Sequence, residues 1–438
     1  MYLTTKDIRK KFLDFFTKKN HENTTNTEIT INVDPTLLFI NAGMVPFKEI
    51  FLDCSNKEYT NKVSSQRCIR IGGKQSDLNN VGLTKYHHTF FEMLGNFSFG
   101  DYHKELAIKY SWDFLTNILK IDKNNLYITI HPEDSVALSI WIDIVPNKAQ
   151  IIKQDTNFWS MGDTGPCGYC SEIFYNKEVI EQLPHTTDIT LFLDKSVELW
   201  NLVFIAYNKT KKNELLNLQR KSIDTGMGLE RVAYVLQNTD NTYETDLFKN
   251  TLTALKNLTQ DKYNKVSSYV IVDHLRCCVI LIDKNITPTS TKRGYILKKL
   301  LHIIFEKGYG MGLTFNFTNY LLKETLLDLK ESEINITSTL NTFEELIRKE
   351  EIAYNKKEEK SYKILTKILK DKKTLDGTTI YNLYETYGIR LEYIKKISAQ
   401  LGVTLELESY YTLLVNDKKR NRKIKKNYNN NYYNLNEN

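Results

Sequence analysis

Apolar and polar positions divide the chain into regions of different texture. Between residues 5 and 20, Ile8, Phe12, Phe15 and Phe16 recur at helical spacing, which predicts an amphipathic helix with Thr5 as its N-cap. From about 30 to 240, short apolar runs are broken by Gly, Asn and Asp. Leu37-Leu38-Phe39-Ile40, Leu126-Tyr127-Ile128-Thr129-Ile130 and Leu199-Trp200-Asn201-Leu202-Val203-Phe204 read as strands separated by long loops. From 246 to 415 the period turns helical and charged, as in 321–329 and 343–354. Residues 416–438 carry seven Lys/Arg and an Asn/Tyr-rich end with almost no aliphatic side chains, the composition of a flexible basic tail. No internal repeat is visible.

Composition narrows the classes. At 438 residues and 41% hydrophobic, the chain can bury a sizeable core. Its net charge of +7 is compatible with a polyanionic partner, and the excess sits mainly in the tail. No apolar run approaches the ~18 residues of a membrane span, and Met1-Tyr2-Leu3-Thr4-Thr5-Lys6-Asp7 lacks the plan of a signal peptide. A protein that neither spans a membrane nor is secreted is expected. Six cysteines suggest no disulfide framework. Cys167-Gly-Tyr-Cys170 has knuckle spacing, but no second Cys/His pair follows at zinc-finger distance, so two reduced thiols in a turn are expected and no zinc site.

The chain contains no Walker loop, no complete G-x-G-x-x-G, no H-E-x-x-H and no nucleophile-elbow serine. Candidate chemistry gathers in four blocks instead. Asp34-Pro35-Thr36-Leu37-Leu38-Phe39-Ile40-Asn41-Ala42-Gly43-Met44 reads as a strand and a tight turn. Gln66-Arg67-Cys68-Ile69-Arg70, Gly72-Gly73-Lys74 and Tyr86-His87-His88-Thr89-Phe90-Phe91-Glu92-Met93 read as a strand ending in arginine, a loop carrying lysine and an aromatic return strand. That arrangement suits a phosphate clamp beside a purine, because guanidinium is planar and always charged and a Phe face stacks a base. Adjacent His87 and His88 face opposite ways on a strand, which argues against a two-histidine metal site. Phe158-Trp159-Ser160-Met161-Gly162-Asp163-Thr164-Gly165-Pro166-Cys167-Gly168 suits a shaped loop over a small ligand. Asp224-Thr225-Gly226-Met227-Gly228-Leu229-Glu230-Arg231, taken alone, reads as a helix start capped by Asp224.

In this order the blocks resemble the catalytic core of the alanyl-tRNA synthetases, a class II aminoacyl-tRNA synthetase family. The resemblance runs to about residue 400 and is densest in His87-His88-Thr89-Phe90-Phe91-Glu92-Met93-Leu94-Gly95-Asn96-Phe97-Ser98-Phe99-Gly100-Asp101-Tyr102. It implies an α+β fold: an antiparallel sheet flanked by helices in a catalytic domain (1–245), then an all-helical domain for tRNA acceptor-stem recognition (246–415), then the tail (416–438). It also implies ATP and Mg²⁺ as cofactors, alanine and alanine tRNA as partners, and a cytoplasmic monomer that joins alanine to tRNA through alanyl-adenylate. Carried over by position, Arg70 holds the α-phosphate and Arg231 the γ-phosphate end. Lys74, Phe91 and Met93 complete the ATP site, with adenine stacked on Phe91. Asp224 pairs with the alanine ammonium, Trp159 and Val203 wall a methyl-sized pocket, and Glu198 is the Mg²⁺ ligand.

Two departures from the family stand out. Its members usually continue into an editing domain and a C-terminal domain. The chain shows neither, and reads as a minimal form without correction of serine or glycine mischarging. The family also reads a G·U pair through an Asn and an Asp. Pro288-Thr289-Ser290-Thr291-Lys292-Arg293-Gly294-Tyr295 has no Asn, and Glu385 stands at the Asp position, leaving Arg293 and Glu385 as the candidate tRNA contacts without strict G·U recognition. Alternatives are a paralogue that adenylates alanine for another acceptor and a non-catalytic RNA-binding regulator. The helical extension argues against the first, and Arg70, Asp224 and Arg231 together argue against the second.

Overall fold

Thr4, not Thr5, caps the first helix, α1 (Thr5–Thr17): its hydroxyl accepts from the Asp7 amide, and Asp7 closes a capping box. Thr5 instead turns both its amide and its hydroxyl to the Asp246 carboxylate. The face carrying Ile8, Phe12 and Phe16 is buried, with Phe12 against Phe114 and Trp200. The structure, a computed structural model, describes residues 2–25, 28–30, 37–52, 61–72, 76–178, 192–193 and 195–417. Lys74, residues 34–36 and all of the tail beyond 417 lie outside the described residues.

The sheet comprises β1 (Glu22–Asn23), β2 (Lys62–Ile69), β3 (Phe90–Phe99), β4 (Leu126–Ile130), β5 (Ile151–Lys153), β6 (Phe158–Ser160), β7 (Gly165–Tyr175), β8 (Val197–Lys209) and β9 (Leu215–Gly228). Its order is β1-β2-β3-β9-β8-β7-β4-β5, with β6 on β7. The interior pairings are antiparallel, as expected, but β1–β2 and β4–β5 are parallel, so the sheet is mixed. Strand alternation gives the two faces different jobs. Trp200, Leu202 and Phe204 of β8 join the core with α1, α2 (Lys104–Asp113), α3 (Ser135–Ile144) and α4 (Leu229–Leu236). Val203 and Ile205 point the other way, into a smaller cluster with Phe47, Phe97 and Phe99. Residues 37–40 are not a strand: they pass irregularly along the end of β2, where Ile40 donates to Ile29 O and accepts from Ile69, and Ile40 packs on Val45 and Cys68.

The chain divides into two compact units, 1–348 and 349–438. The sequence-based boundary at 245/246 lies inside the first. There, α5 (Lys249–Thr259), α6 (Lys265–Asp283), α7 (Lys292–Gly310) and α8 (Phe317–Glu331) follow the sheet. Asp273 of the buried α6 accepts from the Thr89 amide, the Thr89 hydroxyl (2.5 Å) and the His88 ring (3.0 Å), docking the start of β3. A second tie runs through Arg9 of α1. It holds the buried Glu92 of β3 bidentately (2.6 and 2.8 Å) and donates to Ser332 O (2.9 Å). In the second unit, the end of α9 (Leu340–Leu369), α10 (Gly377–Tyr387) and α11 (Leu391–Gln400) enclose Leu365, Leu383 and Ile394, beside a two-residue parallel pair, β10 (Thr374–Leu375) with β11 (Thr404–Leu405). Among the described residues no helix is long and apolar enough to cross a membrane.

Candidate functional site

The sheet face that carries Val203 borders a cavity of about 960 Å³. It brings together Arg70, Phe91, Met93, Trp159, Glu198, Val203, Asp224 and Arg231, drawn from three of the blocks and from β8, and Asn41 and Met44 of the first block line it as well. Asp224 does not cap a helix. It lies within β9, opposite Val203 of β8 and Phe97 of β3, and the helix starts only at Leu229, behind Gly228. The residue is 8% exposed, and burial pushes its carboxyl up to about 7, with no counter-charge beside it among the described residues. Trp159 and Val203 join the apolar cluster around Phe47 and Phe97 at this end of the cavity.

Arg70 follows β2 directly. Its Nε donates to Asn41 O (3.0 Å), and its guanidinium lies 5.0 Å from the Phe91 ring centre. Arg231, one turn into α4, stacks over Tyr86 (4.8 Å) and donates Nη1 to both the carbonyl and the carboxylate of Glu198 (2.9 and 3.0 Å). The two residues read as a phosphate contact and a cation ligand thus face each other. His87 sits beside them, pushed down to about 4 by burial and by Arg231, so it is neutral at pH 7.

Met93 acts as a spacer between two of the blocks. Its sulfur accepts from the Gly43 amide (3.1 Å), and a Cβ added at Gly226 would lie 2.8 Å from that sulfur. Glycine at 226 is therefore what lets Met93 hold the 41–44 turn over the cavity. Gly226→Ala is expected to displace Met93 and cost about 1–3 kcal/mol of stability by overpacking. Thermal and denaturant melts beside the parent chain check it.

Sequence reasoning missed two carboxylates that line the cavity, Glu172 and Asp77. Glu172 of β7 accepts from Thr129 and Asn201 (both 3.1 Å), and burial plus the nearby Glu198 push it up to about 7. A charged residue inside the apolar run 167–175 was the available signal. Asp77 donates its amide to Arg70 O (3.1 Å), and burial raises its carboxyl against the pull of Arg70 and Arg231. As a loop residue it gave no sequence signal. Glu198, Glu172 and the buried, unpartnered Oδ1 of Asn201 form an oxygen donor set of the kind that suits Mg²⁺ alongside phosphate oxygens.

The tRNA synthetases class II (A) family matches residues 7–438. The chain belongs to this family. Among relatives of this class II chain, the alanine–tRNA ligase of Nitrosomonas europaea is 39% identical over 426 residues, 96% of this chain and 49% of the relative. That of Pseudoalteromonas translucida is 40% identical over 418 residues, covering 93% and 48%. That of Francisella tularensis subsp. tularensis is 37% identical over 432 residues, covering 97% and 50%. The chain thus spans about half the length of the curated relatives it matches. Among solved structures, a pyrrolysyl-tRNA synthetase from Desulfitobacterium hafniense aligns with TM-score 0.31 at 11% identity, over 56% of this chain and 73% of its own.

Of the further residues singled out in the class II chain, His88 is among those lining the cavity, and Arg293, Cys167 and Cys170 are not. Arg293, in the first turn of α7, donates Nε to Leu38 O (2.7 Å). Glu385 is exposed on α10 in the second unit. Cys167 and Cys170 are buried on β7 at a bulge, not in a turn, and burial pushes the Cys170 thiol up to about 12. His88 is fixed by Asp273 and by Thr242 (2.7 Å) and stacks on Phe248.

Proposed function

We propose that this chain activates alanine with ATP and loads it onto the 3′ end of alanine tRNA. The observation that carries the proposal is Asp224: a buried carboxylate without a counter-charge, next to Val203 and Trp159, in the same cavity as Arg70 and Arg231. Such a group calls for a small ligand bearing an ammonium, and the apolar walls beside it suit a short side chain. The names of the relatives support alanine.

In the first step the alanine carboxylate attacks the α-phosphate and pyrophosphate leaves. The nucleophile is already ionised, so the protein's task is to align it and neutralise phosphate charge. Asp224 anchors the ammonium, Arg70 meets the α-phosphate, and Arg231 meets the γ-phosphate end after release from Glu198. Phe91 and Met93 bound the adenine side, and Lys74 serves as a further phosphate contact. Glu198, with Glu172 and Asn201, would hold Mg²⁺, which when bound would supply charge neutralisation on the phosphates. In the second step a hydroxyl of the terminal ribose attacks the mixed anhydride and AMP leaves.

The test is alanine-dependent exchange of pyrophosphate into ATP, then charging of tRNA, with serine and glycine beside alanine. Absence of exchange with any amino acid would refute the proposal. The stretch 288–295 has no Asn and Glu385 stands at the Asp position, so transcripts with G·U, G·C or A·U at the wobble position are expected to differ in charging by no more than about tenfold, the worth of one hydrogen bond. A preference for G·U of several hundredfold would show that strict recognition survives by other contacts.

A further inference from the structure

The β8–β9 hairpin forms a ribbon whose β9 strand runs past its last partner on β3, Phe99↔Ser222, while β7 still flanks β8 as far as Gly165↔Lys209. Its pairing continues from Tyr207↔Asn217 to Lys209↔Leu215, and residues 211–217 are all exposed. Five basic residues, Lys209, Lys211, Lys212, Arg220 and Lys221, are set against one acid, Glu214. Such charge density within thirteen residues costs self-repulsion and calls for a polyanion.

The ribbon is built rather than loose. Leu218 packs on the cluster that holds Trp159 and Met161, and Arg220 lies along Gly100, where a Cβ would come within 2.4 Å of its Cγ. Its turn end also adjoins the cavity: Gly165, which lines the cavity, is the register partner of Lys209, the last paired residue of β8. Between them, Leu215 and Leu216 stand 46% and 55% exposed, an apolar surface among lysines. Phosphates with bases between them match that alternation; a purely ionic partner would leave the leucines unused.

We propose that this ribbon receives the single-stranded 3′ end of the RNA substrate and guides it to the cavity mouth. The proposal rests on the tRNA-charging reading above and adds the surface that reading lacks. Lysines would track the backbone phosphates and the leucines would contact the bases.

The test is the triple variant Lys211→Gln, Lys212→Gln, Lys221→Gln in the full chain, since all three side chains are exposed. Pyrophosphate exchange, which needs no RNA, is expected to stay unchanged, which also reports correct folding. Affinity for tRNA is expected to fall about tenfold at moderate salt, and the slope of log affinity against log salt to flatten by about 2, at ~0.7 per phosphate on single strands. A tRNA lacking its 3′ single strand should show no difference between the variant and the parent chain. An unchanged slope with intact tRNA would overturn the proposal while leaving the charging reading in place. A loss equal on both RNAs would overturn it by placing the contact on the duplex. A loss seen only on vesicles of anionic phospholipid would overturn it in favour of a membrane surface. Absence of exchange in the parent chain, in contrast, would remove the charging reading itself.

Discussion

Asp224→Asn is expected to suppress alanine activation while making the protein more stable. Removing the partner of a buried ammonium costs roughly 3–4 kcal/mol, a loss of about 10²–10³ in kcat/KM for alanine. Stability moves in the opposite direction, for a reason visible in the fold. The carboxyl is raised from 3.8 to about 7 by burial alone. Between those pH values the folded state keeps a proton that the unfolded chain has released, so stability falls as pH rises from 4 to 7 and levels off above. An amide has no such penalty. The variant should therefore match the parent chain near pH 4 and gain up to about 4 kcal/mol at pH 8, from roughly three pH units at 1.36 kcal/mol each. Denaturant melts across this range check the sign. The same group gives a kinetic signature: below pH 7 the parent chain should need about tenfold more alanine per unit of pH, and the variant should not. A variant that is both active and less stable would show that Asp224 already has a partner when the site is empty.

Arg70→Ala should be nearly as damaging to exchange, and nearly silent in stability. Arg70 is half-buried, and its only described side-chain hydrogen bond goes from Nε to Asn41 O, so its Nη groups are left for the ligand. Losing a preorganised donor to the reacting phosphate costs about 10²–10³ in kcat, or roughly 3–4 kcal/mol. Arg70→Lys should recover little, because an ammonium is a point charge on a flexible stem and does not lie flat on Phe91. Melting should shift by less than about 1 kcal/mol, and tRNA affinity should hold. Exchange within tenfold of the parent chain would remove Arg70 from the chemistry.

Where the apolar period was long, the sequence was a good guide. The α1 stripe, the 126–130 run and the charged helices after 246 appear as read. The failures share a cause: the deciding contacts are remote in sequence. Leu37-Leu38-Phe39-Ile40 has a strand's composition, yet its described backbone partners are single bonds to Ile29 and Ile69 rather than a ladder, so it passes irregularly. Asp-Thr-Gly before a helix has the composition of a cap, but β3 and β8 flank residue 224 on both sides and keep it extended. Glu172 and Asn201 meet across β7 and β8, a pairing no local pattern announces. The parallel edges escaped notice because β1 and β5 are two and three residues long, too short to carry a period.

The clasp made by Arg9 has a consequence for how the protein is born. During translation Arg9 emerges early, Glu92 follows 83 residues later, and Ser332 only after 323. Until that last partner arrives, a nascent sheet has a buried carboxylate whose guanidinium is incompletely held, and His88 and Thr89 wait likewise for Asp273. β3 therefore gains its last described partners only once the helices beyond 245 have been made. A fragment ending at 245 keeps the Arg9–Glu92 pair but lacks Ser332 and Asp273, which leaves His88 and Thr89 at the start of β3 without the carboxylate that docks them.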